Sequence, residues 1–277
     1  MSIDFFPGAD PAQGREFLVL DGRSFHAGKC IYCGRTGGRL TKEHILPFGL
    51  SGSAVIQEAS CESCAAITGR FEQKLQRGHL WPLRIYRDLQ SRSKHADAPA
   101  TWPIEVERDG QTVALDLPVD DLPLLIHFPV FRPPRQLTAQ SGRGIDMMGN
   151  VTISFGKKVP EFLRGQNATG LSGTATLMPA EFARLIAKIA YGYAFALGWL
   201  DRITDTKPLA QAILGETENI GDWVGTGEST SPSERRHLHT VVVGPISESN
   251  LLGAEVRLFS DSETPTYQVV LGTLRDA

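Results

Sequence analysis

The stretch KCIYCGRTGGRLTKEHILPFGLSGSAVIQEASCESCAAITGRFE, residues 29–72, contains the pattern that predicts the fold of this chain. It contains all four cysteines of the 277-residue sequence, arranged as two Cys-x-x-Cys pairs. A Glu43-His44 dipeptide lies between the pairs and is followed by Ile45-Leu46-Pro47. Side chains that bind metal ions are therefore concentrated in this stretch.

The two Cys-x-x-Cys pairs predict a structural zinc site. Thiolates at this spacing lie on a tight turn, so that both can reach one ion, and two such turns complete a tetrahedral shell of four sulfurs. A full shell leaves no open position, which is typical of structural zinc and not of catalytic zinc. The alternatives are four unconnected cysteines or two redox motifs. The predicted ligands are Cys30, Cys33, Cys61 and Cys64.

Glu43 and His44 predict a second kind of chemistry. A carboxylate is a hard oxygen ligand of the kind that Mg²⁺ prefers, and an imidazole can take a proton from water. Neighbouring side chains of a regular strand face opposite ways. We therefore expect this pair to lie at a strand end or in a turn.

The pattern of two Cys-x-x-Cys pairs around Thr41-x-Glu43-His44-Ile45-x-Pro47 resembles the zinc-stapled branch of the HNH (ββα-metal) endonucleases. The resemblance covers about 45 residues and implies a hairpin and a helix that hold a divalent ion against the scissile phosphate. It implies that His44 is the general base, that Glu43 binds the catalytic Mg²⁺ or another divalent metal, and that the four cysteines bind structural Zn²⁺. The implied activity is phosphodiester hydrolysis in DNA or, alternatively, in RNA.

The sequence departs from that family at the second metal ligand. Family members usually place Asn or His directly after the fourth cysteine, where this chain has Ala65. Thr68 and Glu72 follow three and seven residues later on the predicted helix, and Glu72 is the better Mg²⁺ donor. Two alternatives stay open. The module can be a degenerate one that binds nucleic acid or a protein partner without cutting, or a folding unit whose chain acts through residues 95–277.

The charge is unevenly distributed along the chain. The formal net charge is −3, but residues 1–94 contain 13 of the 28 Lys and Arg residues and only 9 of the 31 Asp and Glu residues. Basic side chains are densest after the cysteine stretch, and we expect Arg70, Lys74 and Arg77 to contact nucleic-acid phosphates. A solvated helix face explains the same charges equally well.

We predict an α+β fold with two domains. Residues 1–94 form the zinc-stapled HNH-type nuclease module, and residues 95–277 form a mixed α+β domain of unknown role with antiparallel strands. Alternation around Asp109-Gly110 predicts a hairpin, and three- and four-residue spacing predicts a long core helix over 180–200. Gly78 and Pro82 are expected to break an earlier helix in two. Further strands are predicted at 17–20, 124–131, 151–155, 240–243, 254–259 and 267–271.

The composition predicts a globular protein of the cytoplasm. Hydrophobic residues make up 41% of the chain and charged residues 21%. The first residues, MSIDFFPGAD, do not have the basic and apolar regions of a signal peptide. Charged residues interrupt the apolar helix at 180–200 too soon for a membrane span, so we expect no membrane partner.

Overall fold

The computed structural model describes residues 22–91, 98–173, 176–227 and 237–275. These residues form a mixed α+β structure with antiparallel sheets. The helices are α1 (Glu62–Arg77), α2 (Trp81–Tyr86), α3 (Arg135–Thr138), α4 (Val159–Gly165), α5 (Pro179–Ala196) and α6 (Lys207–Leu214). The strands are β1 (Ser24–His26), β2 (Leu40–His44), β3 (Val55–Cys61), β4 (Trp102–Arg108), β5 (Gln111–Leu117), β6 (Pro123–Phe131), β7 (Met147–Gly156), β8 (Gly170–Ser172), β9 (Val224–Thr226), β10 (His239–Pro245), β11 (Leu251–Leu258) and β12 (Tyr267–Thr273).

The cysteine stretch folds as two antiparallel strands followed by a helix. Strand β3 pairs antiparallel with β2 and parallel with the short β1, giving the sheet order β1-β3-β2. Helix α1 begins at the residue after β3, and its buried side chains Cys64, Thr68, Phe71 and Leu75 lie at three- and four-residue spacing. The helix therefore turns one face toward the core.

Helix α5 is the centre of the core. It begins with Pro179 in its first turn, where a missing N–H costs nothing, and it is buried almost continuously from Phe182 to Ala194. It packs against α1, against α6 and against the four-stranded antiparallel sheet with the order β10-β11-β12-β9. One hydrophobic core joins the residues around the cysteines to the C-terminal strands.

Several predicted elements are confirmed. Asp109 and Gly110 both have positive φ (50° and 75°) and connect β4 to β5, as a tight hairpin turn requires. Helix α1 ends at Arg77, and α2 starts beyond Gly78 with Pro82 in its first turn. The strands predicted at 124–131, 151–155 and in the C-terminal region correspond to β6, β7 and β10 to β12. The strand predicted at 17–20 lies outside the described residues.

The predicted boundary between residues 94 and 95 also lies outside the described residues, so the division into two domains stays a prediction. The residues on either side of it contribute to the same core. Among the described helices, none combines the length and the apolar character needed to cross a bilayer.

Candidate metal centre and the cluster around Lys188

The four cysteines meet at one point in the structure. One sulfur from each of Cys30, Cys33, Cys61 and Cys64 lies within 4.8 Å of the others. The Sγ atoms of Cys33 and Cys61 are 3.7 Å apart. Tetrahedral zinc with bonds of about 2.3 Å places its sulfurs about 3.8 Å apart. These four side chains are therefore close enough to hold a metal ion, and their spacing fits zinc.

Burial and hydrogen bonds act in opposite directions on the pKa values of Cys33 and Cys61. Burial would raise the pKa of the Cys61 thiol, but hydrogen bonds from Ser63 and from the Cys64 backbone outweigh it and lower the pKa to about 6. Burial raises the pKa of Cys33, although the backbone N–H of Arg35 acts in the opposite direction. Thiols packed this closely cannot all ionise without a cation, and a divalent ion supplies the positive charge that they require.

An irregularity in the hairpin directs Glu43 into the core. The register of β2 against β3 shifts between Thr41 and Glu43, and Glu58 on the opposite strand has a positive φ of 48°. Lys42 is exposed beside this bulge, whereas Glu43 is only 7% exposed. His44 is the last residue of β2, so the pair lies at a strand end as predicted.

The carboxylates of Glu43 and Glu72 meet on the ammonium group of Lys188. Lys188 Nζ lies 2.8 Å from Glu43 Oε1 and 2.8 Å from Glu72 Oε1. The same ammonium donates a hydrogen bond to the backbone carbonyl of His44 and lies 3.5 Å from that of Ile45. The side chain of Lys188 is 1% exposed and those of Glu43 and Glu72 are 8% and 17% exposed. Residues from β2, α1 and α5 thus form one buried ionic cluster.

The charges in this cluster depend on one another. Burial raises the pKa of Glu43, and the attraction of Lys188 offsets part of that increase. Burial alone would lower the pKa of Lys188, but the two carboxylates outweigh it and raise the pKa above its ordinary value. Burial, and then the charges of Glu43 and Glu72, raise the pKa of the neighbouring Tyr32 phenol. Lys188 is accordingly charged at neutral pH.

This arrangement does not fit the predicted divalent ion at Glu43 and Glu72. Mg²⁺ needs oxygen ligands at about 2.0–2.1 Å in near-octahedral geometry and usually keeps several waters. The position between the two carboxylates is filled by a lysine ammonium instead. A divalent ion could take that position only if the charged Lys188 side chain left it.

The remaining parts of the predicted catalytic site are placed as follows. Ala65 lies in the first turn of α1 and carries no ligand atom, and the Thr68 hydroxyl donates a hydrogen bond of 3.3 Å to the Ala65 carbonyl. Glu72, the other candidate for the missing ligand, binds Lys188. The ring of the half-buried His44 lies beside Phe48, with 5.9 Å between the ring centroids.

The basic residues after the cysteine stretch have different environments. Arg84 is buried and donates to the backbone carbonyls of Gly49, Gln76 and Gln90 at 2.6–3.2 Å, so it ties α2 to the end of α1 and to two loops. Arg87 pairs with Asp261 at 2.6 Å, and Lys74 pairs with Glu181 of α5 at 3.2 Å. Of the three predicted phosphate contacts, Lys74 is therefore partly neutralised, whereas Arg70 and Arg77 are exposed.

A second group of basic residues lies along the chain on both sides of the first cysteine pair. Between residues 22 and 57 the only acidic residue is Glu43, which is buried. The basic side chains of this segment are all exposed. We call them the knuckle cations: Arg23, Lys29, Arg35, Arg39 and Lys42. A count of charges along the sequence favours the later cluster of basic residues, because such a count does not distinguish exposed cations from those that form ion pairs in the fold.

Lys188 is the member of the buried ionic cluster that the sequence does not indicate. It is a charged residue in the middle of an otherwise apolar helix, and that feature was interpreted only as an argument against a membrane span. Tyr191, one turn further along α5, donates a hydrogen bond of 2.9 Å to the Ile31 carbonyl and stacks on Tyr32. Helix α5 therefore binds the cysteine stretch at two adjacent points.

Comparison with known proteins identifies no relative of this chain. No family model matches it, and neither a curated protein nor a solved structure does so.

Proposed function

We propose that this protein binds nucleic acid through a zinc-stapled module of the HNH type and that it does not cut by way of a divalent ion at Glu43 and Glu72. The observation that carries the proposal is the set of knuckle cations, five exposed positive charges in the segment of residues 22–57, whose one acidic residue, Glu43, is buried. An exposed cationic surface attracts phosphate backbones whatever the net charge of the chain.

The zinc ion gives this surface its shape. The loop between Cys33 and Leu40 is exposed and contains no large apolar side chain, so this part of the segment has little hydrophobic packing to fix it. A structural zinc in such a segment contributes folding free energy directly. In this proposal Cys30, Cys33, Cys61 and Cys64 bind Zn²⁺ and hold the cations in fixed positions.

Two observations support the HNH type. The chain has the order strand, strand, helix, with one cysteine pair before the hairpin and the other at the start of the helix. His44 lies at the end of the first strand of that hairpin. Ala65 at the usual ligand position and the ammonium of Lys188 between the two carboxylates favour binding without metal-dependent cutting.

Fluorescence anisotropy with labelled duplex DNA, single-stranded DNA and RNA tests the binding. We expect the dissociation constant to rise with salt, with a slope of about 0.9 per phosphate contact on logarithmic axes for duplex DNA. The double variant Arg35→Glu/Arg39→Glu should weaken binding by roughly tenfold per lost contact at 0.1 M salt and reduce the slope by about 1 per contact.

A matched control separates the local surface from the net charge. Arg143 and Arg164 are exposed arginines outside the cysteine stretch, and Arg143→Glu/Arg164→Glu changes the net charge by the same amount. We expect this control to bind nearly as the natural protein does. Equal weakening by both double variants, or no binding of any of the three nucleic acids, would refute the proposal.

Endonuclease activity is the second candidate, and the position of His44 at the end of β2 favours it. In that case His44 takes a proton from the attacking water. A plasmid-nicking assay with Mg²⁺, with Mn²⁺ and without added metal tests it beside His44→Ala. Cutting that His44→Ala abolishes would support the second candidate, and binding without cutting under every condition would support the first.

A further inference from the structure

Lys188 lies where the carboxylate pair of the hairpin and helix would otherwise hold a separate cation. Among the described residues, the polar contacts of its ammonium group are all with oxygen atoms. They are one carboxylate oxygen from each of Glu43 and Glu72, and the backbone carbonyls of His44 and Ile45. Two anionic and two neutral hard oxygens are a donor set typical of Mg²⁺, Mn²⁺ or Ca²⁺ sites.

The cation in this cage is covalently attached to another part of the chain. Glu43 belongs to β2 and Glu72 to α1, whereas Lys188 belongs to α5, more than a hundred residues later. An ammonium offers three N–H donors and one positive charge. It can therefore lie against two carboxylates and a backbone carbonyl at once, and Lys188 Nζ is in close contact with all three.

We propose that Lys188 is the resident cation of the Glu43–Glu72 carboxylate pair, that it excludes divalent metal from this position, and that its removal creates a divalent-metal site. The inference does not depend on nucleic-acid binding, because it concerns only the cluster between α5 and the cysteine stretch. In this proposal the ammonium neutralises the paired carboxylates in place of a metal ion. Here the neutralising cation also fastens α5 to the hairpin and to α1.

Mn²⁺ titration followed by electron paramagnetic resonance tests the proposal directly, because only free Mn²⁺ gives the sharp six-line signal. The natural protein, purified with its zinc, should bind no Mn²⁺ that depends on Glu43. Lys188→Ala removes the ammonium and leaves room for an ion and its waters, and this variant should bind about one Mn²⁺ per chain. The double variants Lys188→Ala/Glu43→Gln and Lys188→Ala/Glu72→Gln should lose that Mn²⁺.

Thermal unfolding provides a second readout. Lys188→Ala should unfold at a lower temperature than the natural protein, and Mn²⁺ at one hundred times its dissociation constant should restore roughly 5 °C. Mn²⁺ should not shift the unfolding temperature of the natural protein or of Lys188→Ala/Glu72→Gln. Lys188→Ser, which also leaves the position of the ammonium group open, serves if Lys188→Ala does not fold.

Two results would overturn the inference. One is a natural protein that binds one Mn²⁺ per chain and loses it in Glu43→Gln, since the ammonium would then not exclude the ion. The other is a folded Lys188 variant that binds no Mn²⁺, since the oxygen cage would then not be a metal site. The first result needs only the natural protein and Glu43→Gln, so the test does not depend on how the Lys188 variants fold.

Discussion

Replacing Lys188 by Met should destabilise this protein far more than the loss of an ordinary lysine. Methionine keeps an unbranched side chain of similar length and fills most of the same space, so the change chiefly removes the charge. It leaves Glu43 and Glu72, with side chains 8% and 17% exposed, without the ammonium that lies 2.8 Å from each. Two like charges then remain close together in a site of low polarity.

The expected loss follows from the burial of the site. Removing one partner of a buried ion pair costs about 3–5 kcal/mol of unfolding free energy, because the other charge stays buried without compensation. Here two carboxylates lose one cation, which places the cost toward the upper end at pH 7.5. At pH 5 the cost should be smaller, because the raised pKa of Glu43 lets that group take up a proton and become neutral.

Urea unfolding followed by tryptophan fluorescence measures this loss, and Lys74→Met is the matched control. Lys74 makes a similar pair, 3.2 Å to Glu181, but its side chain is 55% exposed, so its removal should cost less than about 1 kcal/mol. The triple variant Lys188→Met/Glu43→Gln/Glu72→Gln should recover much of the loss, because it removes the uncompensated charges. If Lys188→Met and Lys74→Met lost the same free energy of unfolding, burial would not make the Lys188 cluster more stabilising than an exposed ion pair, and the reasoning would be refuted.

Three further predictions concern the zinc site, alkaline pH and the buried side chain of Arg84. Purified protein should contain one zinc per chain, and a strong chelator or Cys61→Ser should release it and cause early loss of tertiary circular dichroism; intact fold without zinc would contradict the structural assignment. The raised pKa of Lys188 means that the folded state holds this proton more tightly than the unfolded state does, for which the pKa is about 10.4. Its contribution should therefore be complete below about pH 10 and decline above it, so the free-energy difference between the natural protein and Lys188→Met should shrink there. Arg84→Met should cost about 2–3 kcal/mol, since three backbone carbonyls lose a charged donor, whereas exposed Arg77→Met should change stability by less than about 0.5 kcal/mol in the same urea experiment.

The features that local spacing determines could be predicted from the sequence. Two Cys-x-x-Cys pairs limit the sulfurs to tight turns, and the structure brings all four within reach of one ion. Three- and four-residue periodicity located α5 to within a few residues, and Asp109-Gly110 located the hairpin. Each of these signals lies within a short segment, so no knowledge of long-range packing was needed.

The features that long-range packing determines could not be predicted in this way. Nothing near Lys188 in the sequence indicates that its partners lie at Glu43 and Glu72, and each of those carboxylates was assigned to a metal on the basis of its own neighbourhood. The same holds for the basic residues after the cysteine stretch, since a count of charges does not show that backbone carbonyls hold Arg84 and that Asp261 holds Arg87.

The position of Lys188 also restricts how the two candidate functions can be combined. Metal-dependent cutting through Glu43 and Glu72 would require the ammonium to leave a site where it is 1% exposed and bound by two carboxylates, and α5 would then lose its ionic attachment to the cysteine stretch. Binding through the knuckle cations requires no such movement, because those side chains are already exposed. A phosphate on that surface and the ion pair at Lys188 can therefore exist together, whereas a divalent ion and the ion pair exclude each other.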